Sequence, residues 1–242
     1  PVNGTLAMRQ AVQAKFKRDN DLNYDLDQIT VGAGSKQVLF NALMATVTSG
    51  DEVIIPGPYW TSSPDMVKLA GGTPVLVMAG QNENFKIGPE ELDAAITTKS
   101  KWLMISSPSN PTGATYTWYE LQGLAEVLLR HPHVHVLTDD VYEHLIFDGH
   151  KFATLAQVEP KLFDRTVTCN SVSKAYSMTG FRCGYAGGPK EIIAKMSNMQ
   201  SQSTARASAV GQAAAVGALN GPQRLLSVRA ANLQRRRDIL FE

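Results

Sequence analysis

The chain has 242 residues, 43% of them hydrophobic and 19% charged, with a formal net charge of +1. That size and apolar content suit one large globular domain with a substantial core, and the near-neutral, interspersed charge excludes a surface built for nucleic acid or another polyanion. No run approaches the roughly 18 consecutive apolar residues of a membrane span, and Pro1-Val2-Asn3-Gly4-Thr5 lacks the basic-then-apolar order of a secretory leader.

Taken in chain order, short apolar runs rich in β-branched residues alternate with stretches of helical period. A helix is predicted over Ser35–Thr46, then strands over Val53–Ile55 and Pro74–Met78. Pro89 followed by Glu90 and Glu91 starts a helix to Ile96, because proline tolerates the first turn and acids complement the N-terminal dipole. A strand at Trp102–Ile105, a helix at Glu120–Leu129, strands at Val134–Thr138 and Thr166–Cys169 and a helix at Glu191–Gln200 follow. After Gly187-Gly188-Pro189 the composition turns to Ala, Ser and Gln, reading as helices broken near Asn220-Gly221-Pro222; Arg235-Arg236-Arg237 then forms a solvated face of a last helix without a stop signal. The alternation predicts an α/β fold, a mostly parallel sheet with flanking helices. Cys169 and Cys183 have no CxxC spacing, which leads us to expect a reducing compartment, the cytoplasm.

In an open parallel sheet, ligands bind beyond the carboxyl ends of the strands. Trp102–Ile105 is followed by Ser106-Ser107-Pro108-Ser109-Asn110-Pro111-Thr112-Gly113, Val134–Thr138 by Asp139-Asp140-Val141-Tyr142, and Thr166–Cys169 by Asn170-Ser171-Val172-Ser173-Lys174. An amide, a carboxylate, a phenol and an amine are thereby expected on one edge. Each has a plain alternative: a turn residue for Asn110, a helix cap for Asp139, a surface amine for Lys174, core packing for Trp60 and a surface ion pair for Arg182.

The block Ser171-Val172-Ser173-Lys174-Ala175-Tyr176-Ser177-Met178-Thr179-Gly180-Phe181-Arg182 resembles the lysine signature of class I aminotransferases, within the fold type I pyridoxal-phosphate enzymes. Gly34-Ser35-Lys36-Gln37, Pro58-Tyr59-Trp60, Ser109-Asn110-Pro111-Thr112-Gly113 and Asp139-Asp140-Val141-Tyr142 stand in the order and rough spacing of that family. The wording is most like bacterial aspartate and aromatic aminotransferases of the Iβ type.

The resemblance implies that Lys174 holds pyridoxal 5′-phosphate covalently and later moves a proton, that Asp139 pairs with the pyridine nitrogen, and that Asn110 and Tyr142 bond the phenolic oxygen. It further implies that Trp60 stacks on the ring, that Gly34, Ser35, Lys36, Ser171 and Arg182 hold the phosphate, and that Trp60 and Asn110 also meet the substrate. Lys174, Asp139 and Tyr142 are thus the expected catalytic residues, with no metal. Residues 1–242 are expected to be the large, cofactor-binding domain. The start at Pro1 and the end inside a helix, near 222–242, suggest a partial chain whose N-terminal segment and C-terminal small domain lie outside it. The parent is expected to be a homodimer exchanging an amino group between aspartate and 2-oxoglutarate. Aromatic amino acids or prephenate are alternatives, as is a fragment that binds the cofactor without turnover.

Three rival motifs are weaker. Ser171-Val172-Ser173-Lys174 satisfies the Ser-x-x-Lys of penicillin-recognising acylases, but Ser-Asp-Asn and Lys-Thr-Gly are absent. Gly32-Ala33-Gly34 lacks the third glycine of a dinucleotide fingerprint, Gln37 standing in its place. His131, His133 and His135 alternate as on a strand face, without cysteine or carboxylate ligands at metal spacing.

Overall fold

The apolar runs become a seven-stranded sheet in a computed structural model that describes all residues, Pro1–Glu242. In chain order the elements are α1 (Leu6–Asn20), β1 (Ile29–Gly32), α2 (Ser35–Thr46), β2 (Glu52–Gly57), α3 (Ser62–Leu69), β3 (Thr73–Met78), α4 (Pro89–Ala95), β4 (Ser100–Ser106) and α5 (Trp118–Arg130). They continue with β5 (His135–Asp139), α6 (Leu155–Val158), β6 (Thr166–Ser171), β7 (Gly184–Gly187), α7 (Lys190–Ser201), α8 (Ala209–Asn220) and α9 (Arg224–Phe241), with short 3₁₀ turns between some of them. No helix is long and apolar enough to cross a membrane.

The strands lie in the order β1-β7-β6-β5-β4-β2-β3, and β3, β2, β4, β5 and β6 are mutually parallel. β7 runs antiparallel to both β6 and β1. The sheet is therefore mostly parallel, as expected. Its central strands are buried along nearly their whole length because both faces are covered. On one face α2 and α7 pack Val38, Leu39, Ile193 and Met196 over Val53, Leu137 and Cys169. On the other, α5 lays Leu121, Leu124 and Leu128 over Leu103, Ile105 and Val136. A third cluster joins α1, with Met8, Val12 and Phe16, to α8 and the outer strands.

Local chemistry sets the helix ends. Thr117 accepts from the Glu120 N–H while Glu120 accepts from that of Thr117, a reciprocal cap at the start of α5. Pro89 opens α4, and Glu91 accepts from the Gly88 N–H at 2.8 Å.

Several elements differ from the sequence reading. β1 and β7 carry only four residues each, and Gly32, Gly184 and Gly187 mask any strand pattern in them. α1 was missed because its apolar positions are interrupted by Lys15, which is itself buried. Val134 precedes β5, and Asp139, expected just beyond the strand, is its last residue. Of the three alternating histidines, His131 pairs with Asp93 at 2.8 Å, the His133 ring nitrogen meets the Thr97 carbonyl at 3.0 Å and His135 packs against Trp102. In the arginine run Arg237 grips Asp148, whereas Arg235 and Arg236 are exposed.

Candidate functional site

The carboxyl ends of β4, β5 and β6 open into a cleft of about 700 Å³ beside the start of α2. Its walls bring together Ser35, Lys36, Trp60, Asn110, Asp139, Tyr142, Lys174 and Arg182 from the expected set, with Ser106, Val141, Ser173 and Thr179 added. The additions all lie inside segments already singled out by their place after a strand; what the motif wording could not show is which hydroxyl faces inward. Ser171 is one such case. It is buried, and its Oγ accepts from the Ser173 N–H at 3.1 Å, so the hydroxyl residue on the cleft wall there is Ser173.

Asp139 is half-buried as a residue, but its Oδ1 is sealed from solvent and has no hydrogen-bond partner. Burial pushes its carboxyl up to about 6, against the Val141 N–H and the positive Lys174, which favour the charged form. A buried acid without a partner costs stability unless something completes it. Lys174 is exposed on the opposite wall, its Nζ 5.7 Å from the centre of the Tyr142 ring. It sits in the loop between β6 and β7, where the chain reverses direction instead of crossing over.

The far end of the cleft is built by close backbone approach. Gly34 caps α2 with φ +94°, and a Cβ there would fall 2.2 Å from Arg182 Nη2. One strand away, a Cβ on Gly184 would fall 2.3 Å from the Gly34 carbonyl carbon, so both glycines are needed to bring the loop against the helix start. Arg182 bridges the gap, donating to the Thr179 carbonyl at 2.9 Å and the Ala33 carbonyl at 3.2 Å. The first N–H groups of α2 have no intrahelical acceptor, and with the guanidinium they make an anion-binding end. Lys36 lies 4.5 Å from the Trp60 ring centre and donates to Ser62 Oγ at 3.3 Å, holding the indole at the mouth. Behind Trp60 a smaller chamber lined by Tyr59, Phe85 and Tyr116 shares Asn110 and Asp139 with the cleft.

The arrangement offers an exposed amine, a buried acid, two polar groups between them and a cationic pocket at one end. That is a site for a flat, polar ring bearing an anionic group.

The whole chain, residues 1–242, matches the family model described as aminotransferase class I and II, a pyridoxal-phosphate-dependent family. It is 56% identical over 239 residues to an aspartate/prephenate aminotransferase of Cereibacter sphaeroides, covering 99% of this chain and 60% of that protein. An aspartate aminotransferase of Rhizobium meliloti is 53% identical over 239 residues, covering 99% of this chain and 58% of that one. Among solved structures, the Rhizobium meliloti aspartate aminotransferase superposes with a TM-score of 0.97 at 53% identity, over 98% of this chain and 60% of that one. An aromatic aminotransferase from Pyrococcus horikoshii gives 0.95 at 34% identity, over 100% of this chain and 65% of that one. The chain thus spans about 60% of the length of the curated relatives it matches. It belongs to the class I and II aminotransferase family.

Proposed function

We propose that residues 1–242 are the cofactor-binding large domain of an aminotransferase that exchanges an amino group between an amino acid and a 2-oxo acid. Aspartate with 2-oxoglutarate is the favoured pair, and prephenate or an aromatic partner is the second reading, supported by the names of the relatives. The observation that carries the proposal is the sealed, unpartnered Asp139 Oδ1 facing a cleft that also holds Lys174 and the Arg182 pocket.

These residues fit pyridoxal phosphate group by group. Asp139 would keep a proton on the ring nitrogen, which supplies the missing partner of its buried oxygen. The Asn110 amide and Tyr142 hydroxyl would donate to the phenolic oxygen, and Trp60 would cover the ring and limit water at its face. Gly34, Ser35, Lys36 and Arg182, backed by the buried Ser171, would hold the phosphate through helix N–H groups and the guanidinium. When bound, the cofactor supplies an electron sink for the charge left at the substrate's α-carbon. Lys174 Nζ would hold it and, as a free amine, would take the proton from that α-carbon. The cleft carries Lys36, Lys174 and Arg182 against one carboxylate, a surplus that suits the cofactor's anionic phosphate.

The parent protein is proposed to be a cytoplasmic homodimer. Two free thiols accord with that compartment, and exposed Leu6, Phe181 and Val210 lie where α1, the Lys174 loop and α8 meet, beside the cleft. Borohydride treatment of the protein with pyridoxal phosphate should leave a pyridoxyl label on Lys174, and aspartate should then release oxaloacetate in stoichiometric amount from unreduced protein. A label elsewhere, or none, defeats the proposal.

A further inference from the structure

The turn after β5 faces the cleft on one side and is fastened to α1 on the other. Its backbone is held by the Asp140 N–H to the Cys169 carbonyl at 2.9 Å, the Glu143 N–H to the Asp140 carbonyl at 3.0 Å and the Leu145 N–H to the Tyr142 carbonyl at 2.8 Å. The Tyr142 side chain has no hydrogen bond of its own among the protein groups, so its place is inherited from this backbone. The next residue is locked. Glu143, with 3% of its side chain exposed, forms an ion pair with Lys15, of which 1% is exposed. Lys15 Nζ also donates to Asn20 Oδ1 at 2.7 Å, and Asn20 Nδ2 returns a bond to Glu143 Oε2 at 2.9 Å, closing a three-residue ring. His144 Nε2 stands 3.1 Å from Glu143 Oε1 and 3.3 Å from Asp19 Oδ2. The acids Asp19 and Glu143 converge here, but the Lys15 ammonium supplies their cation.

A fully buried ion pair is a poor device for stability alone, since apolar residues of similar volume hold a core at least as well. Its directional bonds do something apolar packing cannot: they fix one register between α1 and the turn. We infer that Glu143 is a positioning residue, its buried pairing with Lys15 on α1 setting where the Asp139 carboxyl and the Tyr142 phenol stand in the cleft. The consequence for turnover rests on the proposed function; the consequence for the turn does not. α1 does not line the cleft, yet it shapes the chemistry there by holding the turn from behind.

The decisive variant replaces both partners, Lys15→Met with Glu143→Met, which removes the charges and keeps the volume. It should stay folded with only a modestly lower urea midpoint, because the paired ammonium and carboxylate leave together and only the buried Asn20 amide loses its partners. In protein without cofactor, the amides of Val141, Tyr142 and Glu143 should exchange about tenfold faster, while those of β4 stay at wild-type rates. In cofactor-loaded protein kcat should fall about tenfold or more with KM within about threefold, the mark of misplaced groups and not of lost substrate binding. If the turn amides or kcat remain at wild type, or the loss falls on KM alone, the inference is overturned. Should the double variant fail to fold, Glu143→Gln decides by the same readouts. If wild-type protein itself lacks transamination, the proposed function fails, and amide exchange still decides the role of Glu143.

Discussion

Two groups of buried charge lie back to back across the turn after β5, and they are finished differently. On the α1 side Lys15, Glu143, Asn20, His144 and Asp19 stand within ion-pair or hydrogen-bond distance of one another, each charge facing an opposite one. Facing the cleft, a few residues away, Asp139 has a sealed oxygen with no partner and Lys174 points into solvent. One side is buried and paired; the other is half-open and unpaired. A closed network holds shape, whereas an acid left open in the same protein is a place where a ligand of the right charge completes the fold.

Predictions can break that contrast, starting with the open side. Asp139→Asn should lower transamination about 1,000-fold while pyridoxal phosphate still binds, measured by single-turnover kinetics and cofactor fluorescence. The same variant should not be less stable at pH 7. A carboxyl whose folded pKa is raised to about 6 stabilises most while protonated, and that contribution is lost as pH rises through about 6. The elevation corresponds to on the order of 3 kcal/mol in full, about half of it lost above pH 5, so urea curves at pH 5 and 7.5 should show wild type losing on the order of 1 kcal/mol relative to Asp139→Asn.

The closed side should respond in the opposite sense. Lys15→Met alone leaves Glu143 buried without its main partner and should cost about 3–5 kcal/mol by urea denaturation. A gain in stability there would remove the distinction between the two regions. The network also predicts a pH window. Burial works to lower His144, but its bonds to Asp19 and Glu143 outweigh it and raise the ring to about 9. That stabilisation is complete below the ordinary histidine value and lost as pH rises through about 9, on the order of 3 kcal/mol. Burial likewise opposes the charge on Glu143, yet Lys15 and His144 hold its carboxyl well below the usual range, so its contribution is lost on strong acidification. Global stability of His144→Gln should therefore converge on wild type near pH 10 and fall behind it near pH 6. The smallest effect is expected at the anion end. Gly34→Ala places a Cβ against Arg182 Nη2 in a backbone conformation that favours glycine, and should weaken cofactor binding about tenfold by fluorescence titration.

The parallel core was legible because buried strands write themselves as apolar runs and their ends as polar clusters. Asn110, Asp139, Tyr142 and Lys174 could be expected on one edge from that logic, and the structure places all four on one cleft. The glycine-rich β1 and β7 were not legible, since their pairing is decided by backbone approach and not by side-chain pattern. Nor was the partner of Glu143: Lys15 is 128 residues away in a helix whose buried face includes lysine and asparagine, and only tertiary contact gives that face its meaning. The difference between Ser171 and Ser173 arises because β6 ends at Ser171 and the chain then turns, with the Ser173 N–H folding back on Ser171 Oγ, a change of backbone direction that the spelling of the motif does not show.

The antiparallel β7 also bears on how the molecule assembles. β6 and β7 are joined by a loop of twelve residues, 172–183, and form the sheet's only antiparallel pair that is consecutive in the chain. β1 meets β7 across most of the chain length. Contact order therefore predicts that the segment bearing Lys174 and Arg182 organises early in refolding, and that Gly34 and the start of α2 join it only when the first strand docks on the last. The amine end of the cleft would exist before the anion end, and pyridoxal phosphate added during refolding should leave the early phase unchanged while trapping the late one.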